Sequence, residues 1–336
     1  MGLEIYCDDL QEGTWFSNLS PHLAHAHLLT IRGRGSNPVF VEKLLRYDRP
    51  DIVLVVDENP KLVVEKTSEV PTGHNIGQRF GRMVNAVEEG VAVAYFLPFK
   101  AMKHGQYAGV CYVNARLFSA FAKMEEIHAI PVLAIEWPCD HRFELVRDGT
   151  EDRLIQTLIE QLCQADFDYR RVPAISTVRD RMTEEYAKRV RQTPSYQTPP
   201  PTVTIARTPD FLNSIGNKME AQGTPESFLA RPETLTYRFD MTPANCRRED
   251  PYTGTQFIYD YIWCRSGPNP RDKFRNLVLM APLVSKQRWL EANPNDPGRK
   301  SCLYYVTADM IVLSDGIIIC TTPRRVPEVQ QLQMGD

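Results

Sequence analysis

The chain has 336 residues, of which 43% are hydrophobic and 24% are charged, and its formal net charge is −3. This composition excludes collagen-like, coiled-coil and wholly disordered chains, and it is typical of a globular protein with one large domain or two ordinary ones. Because the net charge is slightly negative, any nucleic-acid binding must come from a local basic surface.

The first residues have neither the basic head nor the apolar stretch of a signal peptide, and no apolar run approaches the ~20 residues of a membrane helix. Eight cysteines lie far apart without a CxxC pair. This spacing indicates neither a zinc ribbon nor a disulfide framework. We therefore expect a cytoplasmic protein with no membrane partner.

Two clusters stand near the N-terminus. His22, His25 and His27 form an HxxHxH pattern that suits a transition-metal site, although a structural or DNA-facing role is the favoured interpretation. The loop RGRGSN (32–37), which contains Arg32 and Arg34, lacks the spacing of a phosphate-binding P-loop. Its two arginines remain candidates for contacts with a DNA backbone.

The segments DIVLVV (51–56) and KLVVEKT (61–67) predict two strands joined by the turn-rich sequence DENP. Glu65, Thr67 and Glu69 follow a period of two and so share one face of the second strand. A loop of three or five residues would pair Asp51 with Thr67 and place Asp51 on that same face. A loop of four residues would pair it with Lys66 and place it on the opposite face.

The next elements alternate between helix and strand. Apolar spacing predicts a helix over residues 75–89 with Gly90 as its stop, and three further helices and two buried strands. In chain order these are a strand at 91–99, a helix at 108–126, a strand at 132–137, a helix at 151–163 and a basic amphipathic helix within 170–191.

Five prolines within residues 192–209 predict an extended linker between two domains. Beyond it, short aromatic and β-branched runs indicate β structure with scattered helix. Residues 256–265 (QFIYDYIWCR) are expected to form a strand whose aromatic face packs in the core or at a subunit interface. The basic segment 265–300 is either a solvated surface or a DNA contact.

Carboxylates on adjacent strands suit a hard cation such as Mg²⁺, which takes oxygen ligands and keeps several waters. Asp51 after Pro50, then Glu65 on the next strand, then a helix with Gln78 and Arg79 and a further strand resemble the catalytic core of the PD-(D/E)xK nuclease superfamily. The likeness covers about residues 40–140 and is greatest to type II restriction endonucleases.

The resemblance implies that Asp51 and Glu65 bind Mg²⁺. The third motif position falls on Thr67, where the family usually has Lys. Either Lys66 reaches the site through a bulge, Glu69 or Gln78 orients the water, or the site is inactive. The remaining substrate-binding candidates are His74, Arg79, Arg82, Arg32 and Arg34, since arginines form bidentate phosphate contacts.

We therefore expect an α/β protein with a restriction-endonuclease-like core, in which helices flank a mixed central sheet, and a C-terminal α+β region. The expected units are a catalytic domain at 1–191, a linker at 192–209 and a recognition or dimerisation region at 210–336. The expected function is Mg²⁺-dependent, sequence-specific cleavage of double-stranded DNA by a homodimer. The alternatives are a repair or structure-specific nuclease, a catalytically silent DNA-binding protein with this fold, and a metal-dependent hydrolase built around the histidine cluster.

Overall fold

The structure is a computed structural model that describes residues 2–33, 35–70, 75–105, 108–216, 224–246, 252–269, 272–292 and 307–320. Among these residues, no helix is both long enough and apolar enough to cross a membrane. The fold is mixed α/β, with a mixed central sheet flanked by helices. The coarse fold class predicted from the sequence is therefore confirmed.

The central sheet has six strands in the order β2-β1-β3-β4-β5-β8. The pairs β1–β3 and β3–β4 are antiparallel, whereas β1–β2, β4–β5 and β5–β8 are parallel. All residues of β3 and β5 are buried, as expected of strands covered on both faces. The strands are β1 (Leu3–Cys7), β2 (His27–Thr30), β3 (Ile52–Val56), β4 (Asn59–Lys66), β5 (Ala92–Leu97) and β8 (Val132–Glu136).

Six helices belong to this part of the chain. They are α1 (Leu10–Ser17), α2 (Val39–Glu42), α3 (Asn75–Glu88), α4 (Arg116–His128), α5 (Arg153–Gln164) and α6 (Pro173–Gln192). The predicted helix at 75–89 is confirmed: Phe80, Val84 and Val87 are buried, and Gly90 follows with a left-handed φ of 76°. The helices predicted at 151–163 and within 170–191 are also present.

A tight turn joins β3 to β4. Asp57 and Glu58 both have positive φ, so the turn has two residues rather than the three, four or five considered from the sequence. Leu54 pairs with Leu62 but Val55 pairs with Pro60, which leaves Lys61 as an extra, bulged residue. Continued by one residue, this register sets Asp51 opposite Glu65 rather than opposite Thr67. Asp51 and Glu65 therefore share one face, as a loop of three or five residues would imply, but Asp51 pairs neither with Thr67 nor with Lys66.

The helix predicted from residue 108 begins later, at Arg116. Before it, β6 (Lys100–Lys103) and β7 (Gly109–Tyr112) form an antiparallel hairpin. Gly109 has a φ of 151°, and the β-branched Val110 and Val113 favour extended chain. The side chain of Asn114 then accepts a hydrogen bond of 2.9 Å from the N–H of Arg116, which starts the helix.

The second sheet has five strands in the order β13-β12-β11-β10-β9, with antiparallel strands at both edges. This region, expected to be α+β, combines helices with a mixed sheet in which β10, β11 and β12 are parallel. Its strands are β9 (Val203–Arg207), β10 (Glu233–Arg238), β11 (Arg275–Ala281), β12 (Met310–Leu313) and β13 (Ile317–Ile319), and its helices are α7 (Thr208–Ser214), α8 (Glu226–Leu229), α9 (Thr253–Tyr259) and α10 (Lys286–Ala292). The segment predicted as a linker thus carries the edge strand β9.

The strand predicted at 256–265 is wrong, because the segment forms α9 and a π-helical turn, Asp260–Cys264. Its aromatic residues pack against the part of the chain that carries the first sheet. Phe257 lies 5.5 Å from Tyr47, which precedes β3, and Tyr261 lies 6.4 Å from Phe80 of α3, measured between ring centroids. This tertiary packing overrides the β propensity of the run. Most of the buried apolar residues of the two sheets consequently form one continuous core. A second, smaller cluster in the C-terminal region contains Phe211, Phe228, Val278 and Met310.

Candidate active site

Asp51 and Glu65 meet at the centre of the first sheet. Asp51 precedes β3, and its carbonyl accepts a hydrogen bond of 2.9 Å from the N–H of Asp8. Glu65 lies in β4 and is fully buried. The N–H of Asp51 donates to Oε1 of Glu65 at 3.3 Å, and the N–H of Lys66 donates to Oδ2 of Asp51 at 2.8 Å. The backbone therefore holds both carboxylates in place.

Two arginines of α3 cover these carboxylates. Arg79 and Arg82 are three positions apart, so they lie on the same face of the helix. Nη1 of Arg82 lies 2.9 Å from Oδ1 of Asp51 and 3.0 Å from Oε2 of Glu65. The Nε of Arg82 also donates to Asp48 at 3.0 Å. Arg82 is thus fixed by three carboxylates.

Arg79 makes a different set of contacts through a single nitrogen. Its Nη1 contacts Oδ2 of Asp51, Oε2 of Glu65 at 3.1 Å and the carbonyl oxygen of Lys66 at 2.8 Å. These three oxygens converge on one point that now carries a positive charge. We call them, Asp51 Oδ2, Glu65 Oε2 and Lys66 O, the cation cradle.

Burial dominates the electrostatics of the site. It raises the pKa of Glu65 to about 8, with the neighbouring Asp51 adding to the effect, while Arg82 and Arg79 oppose it. Burial alone would lower the pKa of both arginines, but the attraction of Glu65 and Asp51 outweighs it and raises the pKa of each. Both guanidiniums therefore stay charged beside the carboxylates.

Tyr95 adds a buried hydroxyl next to Glu65. The two residues are register partners on the parallel strands β5 and β4, so their side chains lie on the same face. Tyr95 is fully buried, and among the described residues its hydroxyl has no hydrogen-bond partner. An unsatisfied buried hydroxyl is costly, so the site has a free polar group suited to a water molecule.

The donor set of the cradle fits Mg²⁺. Two carboxylate oxygens and one carbonyl oxygen meet at one position, and Mg²⁺ prefers such ligands with waters completing its shell. No cluster of three or more His, Cys, Asp or Glu side chains that could hold a metal occurs among the residues the structure describes. A cation here would therefore depend on Asp51, Glu65 and the backbone of Lys66.

Thr67 and Glu69 were expected to continue the strand beside Glu65, and this expectation is wrong. Strand β4 ends at Lys66, and the chain then turns. The Thr67 hydroxyl accepts a hydrogen bond of 3.1 Å from the N–H of Glu69 and donates to the carbonyl of the same residue at 3.3 Å. Glu69 itself is exposed. Neither side chain joins the cradle through a hydrogen bond that the structure shows.

Lys66 does not reach the cradle through a bulge, because the bulge is at Lys61. Side chains alternate along a strand, so Lys66 and Glu65 point to opposite faces of the sheet. Nζ of Lys66 lies 4.1 Å from the ring centroid of Trp15 and 5.7 Å from that of Trp137. Phe96 stacks between the two tryptophans, with ring centroids 5.7 Å and 5.0 Å away. The ammonium is held by this aromatic stack through cation–π attraction.

Several predicted substrate-binding residues are not described in full. His74 and Arg34 lie outside the described residues, and Gln78 is described only as part of helix α3. Arg32 is exposed in its loop. The role in substrate binding that the sequence indicates for these four residues stays a prediction.

The backbone of the loop that contains Arg32 binds a carboxylate of the protein, that of Glu42. Oε1 of Glu42 accepts hydrogen bonds from the backbone N–H groups of Gly35, Ser36 and Asn37 at 2.8, 3.1 and 3.0 Å. These amides face a carboxylate, so they are not available to a phosphate.

The histidine cluster is spread over the surface. His22 lies in a 3-10 turn and His27 begins β2, and all three histidines are exposed. Within the described part of the chain, these histidines do not belong to a group of side chains that could hold a metal ion. The hydrolase alternative built around these histidines therefore gains no support.

Part of the basic segment 265–300 is buried rather than solvated or free to contact DNA. Arg265 and Lys273 both pair with Asp260, at 2.9 and 3.2 Å, and Lys273 also pairs with Asp309 at 3.3 Å. Their charges are balanced inside the protein because the carboxylates are buried beside them. Residues 270–271 and 293–300 of this segment lie outside the described residues.

The sequence did not indicate Asp48, Tyr95 or Glu12. Asp48 could have been found, because it stands three positions before Asp51 in the same acidic turn. Tyr95 required the register of β4 and β5. Glu12 lies on α1, where burial and then the charge of Asp51 raise its pKa, while Lys66 and Arg79 oppose this. The sequence motif does not indicate Glu12, because this residue lies on another element, 39 positions before Asp51 in the chain.

Comparison with family models, with curated proteins and with solved structures finds no significant match to this chain.

Proposed function

We propose that this protein is a Mg²⁺-dependent endonuclease for double-stranded DNA, with a restriction-endonuclease-like core of the PD-(D/E)xK type. The observation that supports this is the cation cradle, in which one oxygen of Asp51, just before β3, and two oxygens from β4 surround one cation position. The resemblance of Asp51, Glu65 and the following helix to the nuclease motif agrees with it. The all-oxygen donor set suits a hard cation such as Mg²⁺.

In this proposal, Asp51, Glu65 and the carbonyl of Lys66 hold the ion. When bound, Mg²⁺ supplies charge neutralisation at a phosphate oxygen and a water of lowered pKa. Arg82 keeps the two carboxylates aligned, since it contacts both of them and Asp48. Arg79 is the cation on α3 that is placed to contact a phosphate beside the ion.

Site-specific cleavage of both DNA strands would require two copies of this site. A homodimer with two-fold symmetry would match a palindromic DNA sequence. A repair or structure-specific nuclease would act on one strand or on a distorted duplex with the same site. Substrate preference therefore separates these two versions of the proposal.

A catalytically silent DNA-binding protein is the second candidate, and specific contacts favour it. Arg79 and Arg82 balance the charges of Asp51 and Glu65, and Thr67 stands where the family usually has Lys. A protein of this kind would bind DNA with a strong dependence on salt and would leave the DNA intact.

The test uses purified wild-type protein, Glu65→Gln and Asp51→Asn, with Glu126→Gln as the control. Glu126 is exposed and pairs only with Lys123 among the ion pairs of the structure, so the same chemical change there should leave activity unaltered. Each protein is incubated with a large, sequence-diverse DNA in Mg²⁺ or in EDTA. Hairpin, nicked and flap substrates are tested in parallel.

Discrete fragments from the wild type and the control alone would support a sequence-specific nuclease. A smear, or cleavage of flaps and nicks only, would support the repair version. Salt-sensitive binding without cleavage in either Mg²⁺ or Mn²⁺ would favour the silent binding protein. Cleavage that survives in both Glu65→Gln and Asp51→Asn would refute a role for the cradle.

A further inference from the structure

We propose that Arg79 occupies the cation position of the cradle in the metal-free protein, and that a divalent cation entering the cradle displaces its guanidinium towards solvent. This inference rests on the proposed function, because it assumes that the cradle is built for a metal ion. It assigns Arg79 a competing role that the nuclease motif does not imply.

The contacts of Arg79 Nη1 are like those of a spherical cation and unlike those that a guanidinium group usually makes. An Nη nitrogen carries two hydrogens, yet three oxygens surround Nη1 of Arg79. A guanidinium usually meets a carboxylate with two parallel N–H groups, and Arg79 does not use that fork on Asp51 or Glu65. A spherical cation would satisfy all three oxygens at once, so the cradle is matched to an ion better than to Arg79.

The two arginines differ in how firmly they are held. The side chain of Arg82 is 16% exposed and is anchored to Asp48, Asp51 and Glu65. The side chain of Arg79 is 29% exposed, and every ion pair that the structure shows for it is within the cradle. Arg79 therefore has a path to solvent that leaves no other ion pair broken. Arg82 would remain and keep both carboxylates in position.

The charges also favour an exchange. Asp51 and Glu65 together carry two negative charges when ionised, which Arg79 and Arg82 balance. Entry of a doubly charged ion beside Arg79 and Arg82 would place four positive charges against these two carboxylates in a buried site. Departure of Arg79 removes this repulsion and places its guanidinium at the mouth of the site, where a phosphate could bind it.

The competition can be measured with Mn²⁺ alone, with free Mn²⁺ followed by electron paramagnetic resonance at fixed pH and salt. The variants are Arg79→Met and the control Arg179→Met, since Arg179 forms an exposed ion pair with Glu125 at 2.7 Å on a different helix. Removing the competitor should tighten Mn²⁺ binding by about tenfold or more, because the apparent affinity scales with the fraction of empty cradle. The control should bind as the wild type does. Equal or weaker binding by Arg79→Met would overturn the inference.

A second measurement uses the wild-type protein and so does not depend on the folding of a variant. The side-chain nitrogen resonance of Arg79, assigned by its loss in Arg79→Lys, is followed during titration with Mg²⁺. Displacement predicts that its slow exchange with solvent becomes fast as the cradle fills. A resonance that remains protected at saturating Mg²⁺ would contradict displacement.

The two levels of proposal can fail separately. Tighter Mn²⁺ binding by Arg79→Met, together with intact DNA in every cleavage assay, would support the cradle and refute the nuclease function. Cleavage by the wild type in Mg²⁺, without a gain in metal affinity for Arg79→Met, would support the nuclease function and refute the displacement.

Discussion

Nη1 of Arg265 lies 3.0 Å from Oε1 of Glu88, although the two residues are 177 positions apart in the chain. The contact joins the π-helical turn of the C-terminal region to α3, the helix that carries Arg79 and Arg82. Arg265 is fully buried and also contacts Asp260 at 2.9 Å and the hydroxyl of Tyr261 at 2.7 Å. The C-terminal region therefore helps to position the helix that covers the cradle.

Arg265→Met should destabilise the protein strongly. Removing one partner of a buried ion pair leaves uncompensated charge, which costs about 3–5 kcal/mol. The measurement is urea unfolding at pH 7, with Arg179→Met as a matched exposed pair whose loss should cost at most about 1 kcal/mol. If the two variants lose similar stability, the buried ion pairs of Arg265 contribute no more to the free energy of unfolding than an exposed pair does.

His128 should make stability fall in acid. Burial, and then the charge of Arg265, lower the pKa of His128 to about 4 in the folded protein, with Glu88 opposing them. Its pKa in the unfolded chain is about 6.5, so the unfolded state binds more protons between these values and stability falls as the pH falls through this window. Its ring nitrogen lies 2.9 Å from the hydroxyl of Tyr261.

The comparison of wild type with His128→Gln isolates this effect. Glu65, whose raised pKa gives stability that decreases as the pH rises towards about 8, contributes equally to both proteins and cancels. The stability cost of His128→Gln, measured by urea unfolding, should therefore shrink between pH 7 and pH 4.5. A cost that is constant over this range would contradict the assignment.

Lys66→Met tests whether this lysine replaces the missing motif Lys. Its Nζ lies over Trp15 on the face of the sheet opposite to Glu65, so we expect the cleavage rate to change less than about threefold. A lysine that took part in proton transfer would instead contribute about 10²–10⁴-fold. Single-turnover cleavage in Mg²⁺ distinguishes these outcomes, and a loss of that size would place Lys66 in the chemistry.

Tyr169→Phe should loosen the bulge in β4. The Tyr169 hydroxyl donates to the carbonyl of Lys61, the bulged residue. Loss of this hydrogen bond should cost about 1 kcal/mol. Hydrogen exchange of the β3 and β4 amides reports the local effect, which should exceed that at β10 and β11 in the second sheet. Uniform changes across both sheets would point to a global rather than a local effect.

The sequence predicts the elements near the site well because their patterns are local. The buried run of β3, the amphipathic face of α3 with Phe80 and Val84, and the stop at Gly90 need no partner to be recognised. The predicted register of β3 and β4 was wrong. The sequence DENP indicates a longer turn, whereas the chain forms a two-residue turn followed by a bulge. The helical form of residues 256–265 was missed because contacts with Phe80 of α3 and His128 of α4, and not local propensity, decide it.

The candidate site was predictable in part. Asp51, Glu65, Arg79 and Arg82 stand in one motif region, and the structure brings all four together. The convergence of three oxygens on one nitrogen of Arg79 was not predictable, because it depends on the backbone carbonyl of Lys66. Every residue has such a carbonyl, so the residue type does not indicate it. The turn after β4, which removes Thr67 and Glu69 from the strand, depends equally on tertiary structure.

The single extra residue at Lys61 determines which face of the hairpin each side chain between Leu62 and the end of β4 occupies. Continued from Val56 and Asn59 without a bulge, the pairing would set Asp51 opposite Val64, and Glu65 would then project towards the aromatic stack on the other face. Substitutions near the turn leave this count unchanged, whereas insertion or deletion of one residue there exchanges the two faces of β4. The pairing of the two carboxylates therefore depends on the number of residues near the turn. The turn is at the opposite end of the hairpin from both carboxylates.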